Sequence, residues 1–407
     1  MSRARVPPPP RPPRSEFGRF WGLDPRTVYL NHGSYGACPL AVLDEQASLR
    51  AQLEADPMAF FHEHGPVLWR QALRCLADFV HADPAGMTFV TNATSGVNTV
   101  LRSLALAPGD EIIVSDHAYQ ACRNAIDYVC ARSGARPVVV AIPFPVASPE
   151  PIVEGFLRAV TGRSRLALVD TVTSPTALRM PFEQLTRELQ GRGVDVLIDG
   201  AHGPGLLPLD LGALDAAYVT GNCHKWLCTP KGSGFLHVRA DRRESLQPLT
   251  ISHGYSAAVP PAERFRMEFD WQGTRDPTPW LCIPMAIEHV GGMLPGGWDA
   301  VMARNRALAL SARGMLCDAL GTRDALPDSL LTAMVTLPLR AVEQDANASY
   351  ANHPLTEKLH AEYGIRAVVF PWPPHRALYL RVSAALYNAE EEYQYLAEAL
   401  TELGVGG

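Results

Sequence analysis

Residues 221–234 read GNCHKWLCTPKGSG and contain the material of two different sites. Cys223, His224 and Cys228, with His237 just beyond, are zinc-ligand residue types, whereas Lys225 and Lys231 offer an amine. The chain has 36 basic residues, and only Lys225, Lys231 and Lys358 are lysines. Adjacent Cys223 and His224 point to opposite faces of an extended segment. Cys-x4-Cys also has no partner pair at zinc-ribbon or zinc-finger spacing. The metal reading fails on spacing, and no metal site is expected. A serine nucleophile in HGSYG (32–36) fails as well, because the spacing is not G-x-S-x-G.

The remaining sequence places that lysine. Short β-rich runs occur at 87–91, 111–115, 136–142, 165–171, 194–199, 214–220 and 234–238, with amphipathic stretches between most of them. Continuous apolar strands alternating with helices indicate an α/β fold whose mainly parallel sheet is covered on both faces. Ligands in such sheets collect beyond the carboxyl ends of the strands. Lys225 follows the strand LDAAYVT, and Asp199 ends the strand VDVLID. Desolvation lowers the pKa of a buried lysine, as a Schiff-base lysine requires. An aspartate able to keep a pyridine nitrogen protonated completes what pyridoxal phosphate (PLP) asks of a protein. TNATSGVNTV (91–100) follows the first strand and opens a helix, so the N–H groups of Ala93, Thr94 and Ser95 are expected to face a phosphate. SDHAY (115–119) ends the second strand and offers the rings of His117 and Tyr119 for stacking.

The domain plan is a proline-rich disordered tail over 1–16, a large cofactor-binding domain over 17–290 and a smaller α+β domain over 291–407. The large domain includes a substrate-site segment at 28–40. The final helix is expected to take Asn388 as N-cap and Glu391 in its capping box. The net charge of −6 and pI near 6.1 give no footprint for nucleic acid. No apolar run reaches the ~18 residues of a membrane span. Eight scattered cysteines without a disulfide framework fit a cytoplasmic protein.

NATSGVN, SDHAY, DGAHGPG, GNCHKWL, QGTRD and LRVSAALYNAEEE, in this order, resemble the class V aminotransferase-like family of PLP enzymes. LNHGSYGACP and GTRDPTPWLCIPMAI are similar to its isopenicillin N epimerase-like branch. The resemblance implies fold type I, with a seven-stranded sheet in the large domain. It gives Lys225 the Schiff base and the Cα proton, Asp199 the pyridine nitrogen, His202 the ring hydroxyl and His117 the ring face. Thr94 and His224 would contact the phosphate. Asn222 stands where the family commonly has a serine, so the phosphate contact is expected to be rearranged. Thr274 would reach the phosphate of a neighbouring subunit, since family sites lie at a homodimer interface. Arg381 would bind the substrate α-carboxylate. His32 and Tyr35, with DPMAFFHEHG (56–65) and ISHGYS (251–256), would face a small amino-acid-type substrate. Between Cys317 and Arg381 there is no cysteine, which argues against desulfuration through an enzyme persulfide. Epimerisation, C–S lysis and transamination all begin by Cα deprotonation, and the motifs do not fix the outcome. Epimerase-like chemistry on an amino acid or peptide side chain is the first expectation, and C–S lysis of an S-substituted cysteine, or transamination, the alternative. A non-catalytic PLP-fold regulator is the reading from another class, opposed by intact Lys225, Asp199 and Arg381.

Overall fold

The computed structural model describes residues 11–323, 326–339, 353–372 and 377–405. Strands β2 (Met87–Val90), β3 (Glu111–Ser115), β4 (Arg136–Val140), β5 (Ser164–Asp170), β6 (Asp195–Gly200), β7 (Tyr218–Asn222) and β8 (Gly234–Val238) form one sheet. Its order is β2-β8-β7-β6-β5-β3-β4, and β8 alone runs against its neighbours. Both faces are buried except at the edge strand β4, where Arg136, Pro137 and Val139 are exposed. Ile113, Ala167, Val169, Val196 and Ile198 enter one apolar cluster, while Ile112, Val114, Leu166, Leu168 and Leu197 enter another. This two-sided burial explains the near-continuous apolar strands in the sequence. The chain passes outward from β3 to β4 and then returns to β5 and β6. The crevice between β3 and β5 is therefore a topological switch point, where such sheets hold ligands.

Strand β7 begins later than the run 214–220 suggests. Leu211–Leu214 is a short helix, and Asp215 follows at φ 48°, a left-handed turn that must finish before extended backbone can start.

The second layer comprises β9 (Met334–Leu339), β11 (Val368–Trp372) and β12 (Ala377–Ser383), antiparallel in the order β11-β12-β9. The N-terminal strand β1 (Val28–Tyr29) pairs in parallel with β10 (Ile365–Arg366). The start of segment 28–40, grouped above with the large domain, is thus hydrogen-bonded to a strand from the range 291–407. Of the tail expected over 1–16, residues 1–10 lie outside the described residues, whereas Arg14 donates to the carbonyls of Leu23 and Thr27 at 2.9 Å each. The last helix, Glu390–Glu402, is capped by Glu392 rather than Glu391. Glu392 Oε2 accepts from the Ala389 N–H at 3.0 Å and from Asn388 Nδ2 at 2.9 Å. Asn388 stands one position before the cap, where its amide also ties Tyr29 O at 3.1 Å.

Aromatic rings join the loops of the large sheet to the three-stranded one. Phe144, from the loop after β4, contacts Tyr379 of β12 at 5.3 Å, and His117 contacts Trp372 of β11 at 4.6 Å between ring centroids. Edge-to-face packing of this kind adds to area burial. No helix among the described residues is long and apolar enough to cross a membrane.

Phe144→Ala removes the ring contacts with His117, Trp372 and Tyr379. We expect a loss of about 3 kcal/mol in urea unfolding. A loss below about 1 kcal/mol would show that the rings do not tie the two sheets together.

Candidate active site

The lysine loop is shaped by its own backbone. Ser233 O accepts from the Cys223 and His224 N–H groups at 3.0 and 3.2 Å, and from His224 Nδ1 at 2.7 Å. Cys228 sits at φ 59°, a left-handed conformation that a non-glycine residue adopts only where its surroundings impose it. The HGSYG segment packs directly on this loop. Gly36, at φ 69°, lies where a Cβ would come within 2.3 Å of His224 O, so only glycine fits. His32 Nε2 donates to Lys225 O at 3.0 Å, and its Nδ1 accepts from the Tyr387 hydroxyl at 2.9 Å. Burial pushes the His32 imidazole down to about 3.

This geometry changes the role expected of His32. Both its ring nitrogens are bonded and the residue is buried, so it supports the lysine backbone instead of facing substrate. Tyr35, on the same segment, is 71% exposed at the mouth.

Lys225 Nζ lies 3.1 Å from His202 Nε2, and His202 Nδ1 accepts from Trp226 Nε1 at 3.2 Å. Burial lowers the amine to about 8, against the opposing pull of Asp199. Burial, then the charges of Lys225 and Arg381, hold the His202 imidazole well below its ordinary range. Asp199 is buried at the end of β6, where Oδ1 accepts from the Ala201 N–H at 3.0 Å and Oδ2 from the Cys122 thiol at 3.2 Å. Asp170 is its register partner on β5. Burial and the Asp199 charge raise Asp170 well above the carboxylate range, and its Oδ2 has no hydrogen-bond partner among the described residues. Ionisation of Asp170 is thus disfavoured by burial and by a like charge beside it.

His117 departs from the expected stacking role. It is fully enclosed, with Nδ1 accepting from Thr176 Oγ1 at 2.8 Å and Nε2 donating to Ile142 O at 3.3 Å. Its ring belongs to the aromatic cluster between the two sheets. Two residues on, Tyr119 is 45% exposed and close enough to Asp199 to feel its charge.

The helix Ala93–Ser103 also differs in detail from the expected phosphate cradle. Asn92 caps it by accepting from the Ser95 N–H at 2.8 Å, and Asn222 Oδ1 accepts from the Ala93 N–H at 2.8 Å. Two of the three N–H groups are therefore used by side chains of the protein. The Ser95 hydroxyl donates to Asn92 Oδ1 at 3.1 Å, which leaves Thr94 and the Asn222 amide NH2 as the donors at this helix end. His224 spends its ring proton on Ser233 O, so a phosphate at Nε2 would require the imidazolium form.

Arg381, 2% exposed, reaches down from β12. Its Nη2 donates to Ser34 Oγ at 2.8 Å and to Asn31 Oδ1 at 3.1 Å, while Nη1 donates to Ser174 O. Its charge acts on both Lys225 and His202, which places it over the same cleft. Thr274 is exposed beside a cavity of about 780 Å3 lined by Phe61, Trp69, Trp271 and Arg275. Phe60–His64 of the DPMAFFHEHG segment is a π-turn on the same cavity.

Several site residues escaped the sequence reading. Asp170 ends an apolar strand just as Asp199 does, a signal present in LALVD. Trp226 directly follows the lysine. Cys122, Thr176 and Asn31 carry no local signature, since only the fold brings them to Asp199, His117 and Arg381.

The donor set fits PLP. An amine whose pKa is lowered by burial meets a buried carboxylate, a neutral imidazole and a hydroxyl-bearing helix N-terminus at one switch-point cleft. Comparison with known proteins agrees. The family model Aminotransferase class-V matches residues 39–396. The isopenicillin N epimerase of Streptomyces clavuligerus is 36% identical over 94% of this chain and 96% of its own. Putative L-cysteine desulfhydrase 1 of Oryza sativa subsp. japonica is 32% identical over 93% of this chain and 83% of its own. The solved complex of the cystine C–S lyase C-DES with cysteine persulfide superposes with a TM-score of 0.80 at 19% identity, covering 94% of this chain and 98% of that one. It speaks for the fold, fold type I. The chain belongs to the class-V aminotransferase family and is a PLP-dependent enzyme.

Proposed function

We propose that this enzyme removes the Cα proton of an amino acid, or of an amino-acid side chain on a small peptide, and returns it with epimerase-like outcome. The observation that carries the reading is the buried Lys225 amine, lowered to about 8 and held 3.1 Å from a neutral imidazole. When bound, PLP supplies an electron sink that acidifies the Cα–H bond. Lys225 would hold the cofactor and then move the proton, a task favoured when a base titrates near working pH. Asp199 would keep the pyridine nitrogen protonated. The open ring of Tyr119 would cover the cofactor face in place of His117. Thr94 and the Asn222 amide would hold the phosphate, with Ser95 and His224 beside it. Arg381, its planar fork braced by Asn31 and Ser34, would take the α-carboxylate, exchanging the Ser174 carbonyl for substrate oxygens.

The 36% identity to isopenicillin N epimerases, over nearly the full length of both chains, supports the epimerase order. C–S lysis of an S-substituted cysteine is the second reading, supported by the L-cysteine desulfhydrases at 29–32% identity. The subunits are proposed to pair as homodimers. Exposed Met58, Tyr255 and Trp271, together with the exposed Thr274 loop, support a partner over that face. A cytoplasmic setting is supported by eight free cysteines.

Incubation with a panel of amino acids in D2O tests the proposal. Recovered amino acid should carry deuterium at Cα and appear in both configurations. Pyruvate with a released thiol would select the second reading, and a keto acid without either would exclude both. Lys225→Ala should slow the exchange by at least about 1000-fold. Arg381→Lys keeps the charge but loses the bidentate fork, so KM for an α-carboxylate substrate should rise about 10–100-fold. Capture of PLP by cofactor-free enzyme requires the neutral amine. Its rate should climb with pH up to the lowered Lys225 value of about 8 and level off above it. A plateau reached only near the ordinary lysine value would contradict the burial argument.

A further inference from the structure

We propose that Trp226 is a positioning residue that fixes His202 in its Nε2–H tautomer, so that the imidazole offers Lys225 a hydrogen-bond donor and no acceptor. The indole N–H can only donate, so the His202 Nδ1 it meets at 3.2 Å must carry a lone pair. The neutral ring then has its single proton on Nε2, the atom 3.1 Å from Lys225 Nζ. Rotating the ring by half a turn would put carbon atoms at both positions and lose both bonds. Trp226 is itself held in place, buried among Val172, Ala177, Leu206 and Met334, with its ring 4.9 Å from that of His32.

The consequence falls on the amine. A neutral Lys225 nitrogen accepts from Nε2–H, whereas an ammonium would meet it donor against donor. The lock therefore acts in the same direction as burial and opposes protonation of Lys225. The other groups facing this pair are Asp199 on β6, Cys122 on the helix Gln120–Ser133, Arg381 on β12 and His32. Asp199 favours the ammonium and Arg381 disfavours it. Without the indole, His202 could turn its proton to Nδ1 and present a lone pair that welcomes the ammonium. Trp226 thus favours the free-base form of the reactive amine without touching it.

The inference rests on Lys225 being the reacting amine, but its tests read tautomer and titration without substrate, so it fails separately from the proposed reaction. In 15N-histidine-labelled full-length protein, with and without PLP, His202 should show the Nε2–H tautomer, its signal assigned by loss in His202→Gln. Trp226→Phe keeps an aromatic ring and removes only the donor. It should populate Nδ1–H and move the midpoint of Lys225 acylation, followed by peptide mass spectrometry in the cofactor-free protein, up by about one pH unit. A wild-type His202 protonated on Nδ1 overturns the proposal and needs no variant to be folded. So does a folded Trp226→Phe that keeps both the Nε2–H tautomer and the wild-type midpoint.

Discussion

Holding one amine away from water sets the terms for the whole site. A lysine beyond the end of an interior strand is costly to keep charged, and burial lowers the Lys225 amine to about 8, so its free base is far more accessible than that of an ordinary lysine. The surroundings needed for that come from distant parts of the chain. The helix His32–Tyr35 braces the lysine carbonyl through His32, β6 supplies Asp199 and brings His202 on its following turn, and β12 brings Arg381 from the three-stranded sheet. The parallel sheet matters because it ends all these segments at one edge.

The N-terminal segment joins the two halves of the molecule. Strand β1 pairs with β10, while the next residues close on the lysine loop and on Arg381. Gly36 permits this approach, since any side chain there would strike the backbone of residues 224 and 225. The same short stretch thus sets the lysine backbone and the carboxylate-binding arginine relative to each other. The aromatic contacts of Phe144, Trp372 and Tyr379 tie the three-stranded sheet to the large sheet from another side.

Much of this was legible in the sequence. The seven apolar runs became the seven strands; in the interior ones burial on both faces leaves a composition signal that survives without knowledge of pairing, while the exposed edge strand β4 is marked by its β-branched run alone. Asp199, His202, Lys225 and Arg381 could be placed because they stand at strand ends or within strands of clear pattern. Side-chain direction was not legible. His117 and Tyr119 are two residues apart in one turn, and only the packing against Trp372 decides which ring is enclosed. His32 read as substrate-facing, but it is turned inward by hydrogen bonds to Tyr387 and Lys225, 355 and 193 residues away. Long-range partners of this kind leave no mark in local spacing.

The central claim is that Lys225, of the three lysines, bears the cofactor. Borohydride reduction of the purified holoenzyme followed by peptide mass mapping tests it directly, because reduction converts the labile lysine linkage into a stable phosphopyridoxyl group. The account predicts that group on the peptide containing Lys225 and on no other. Its appearance on Lys231 or Lys358, or the absence of any modified lysine in protein that carries PLP, would contradict it.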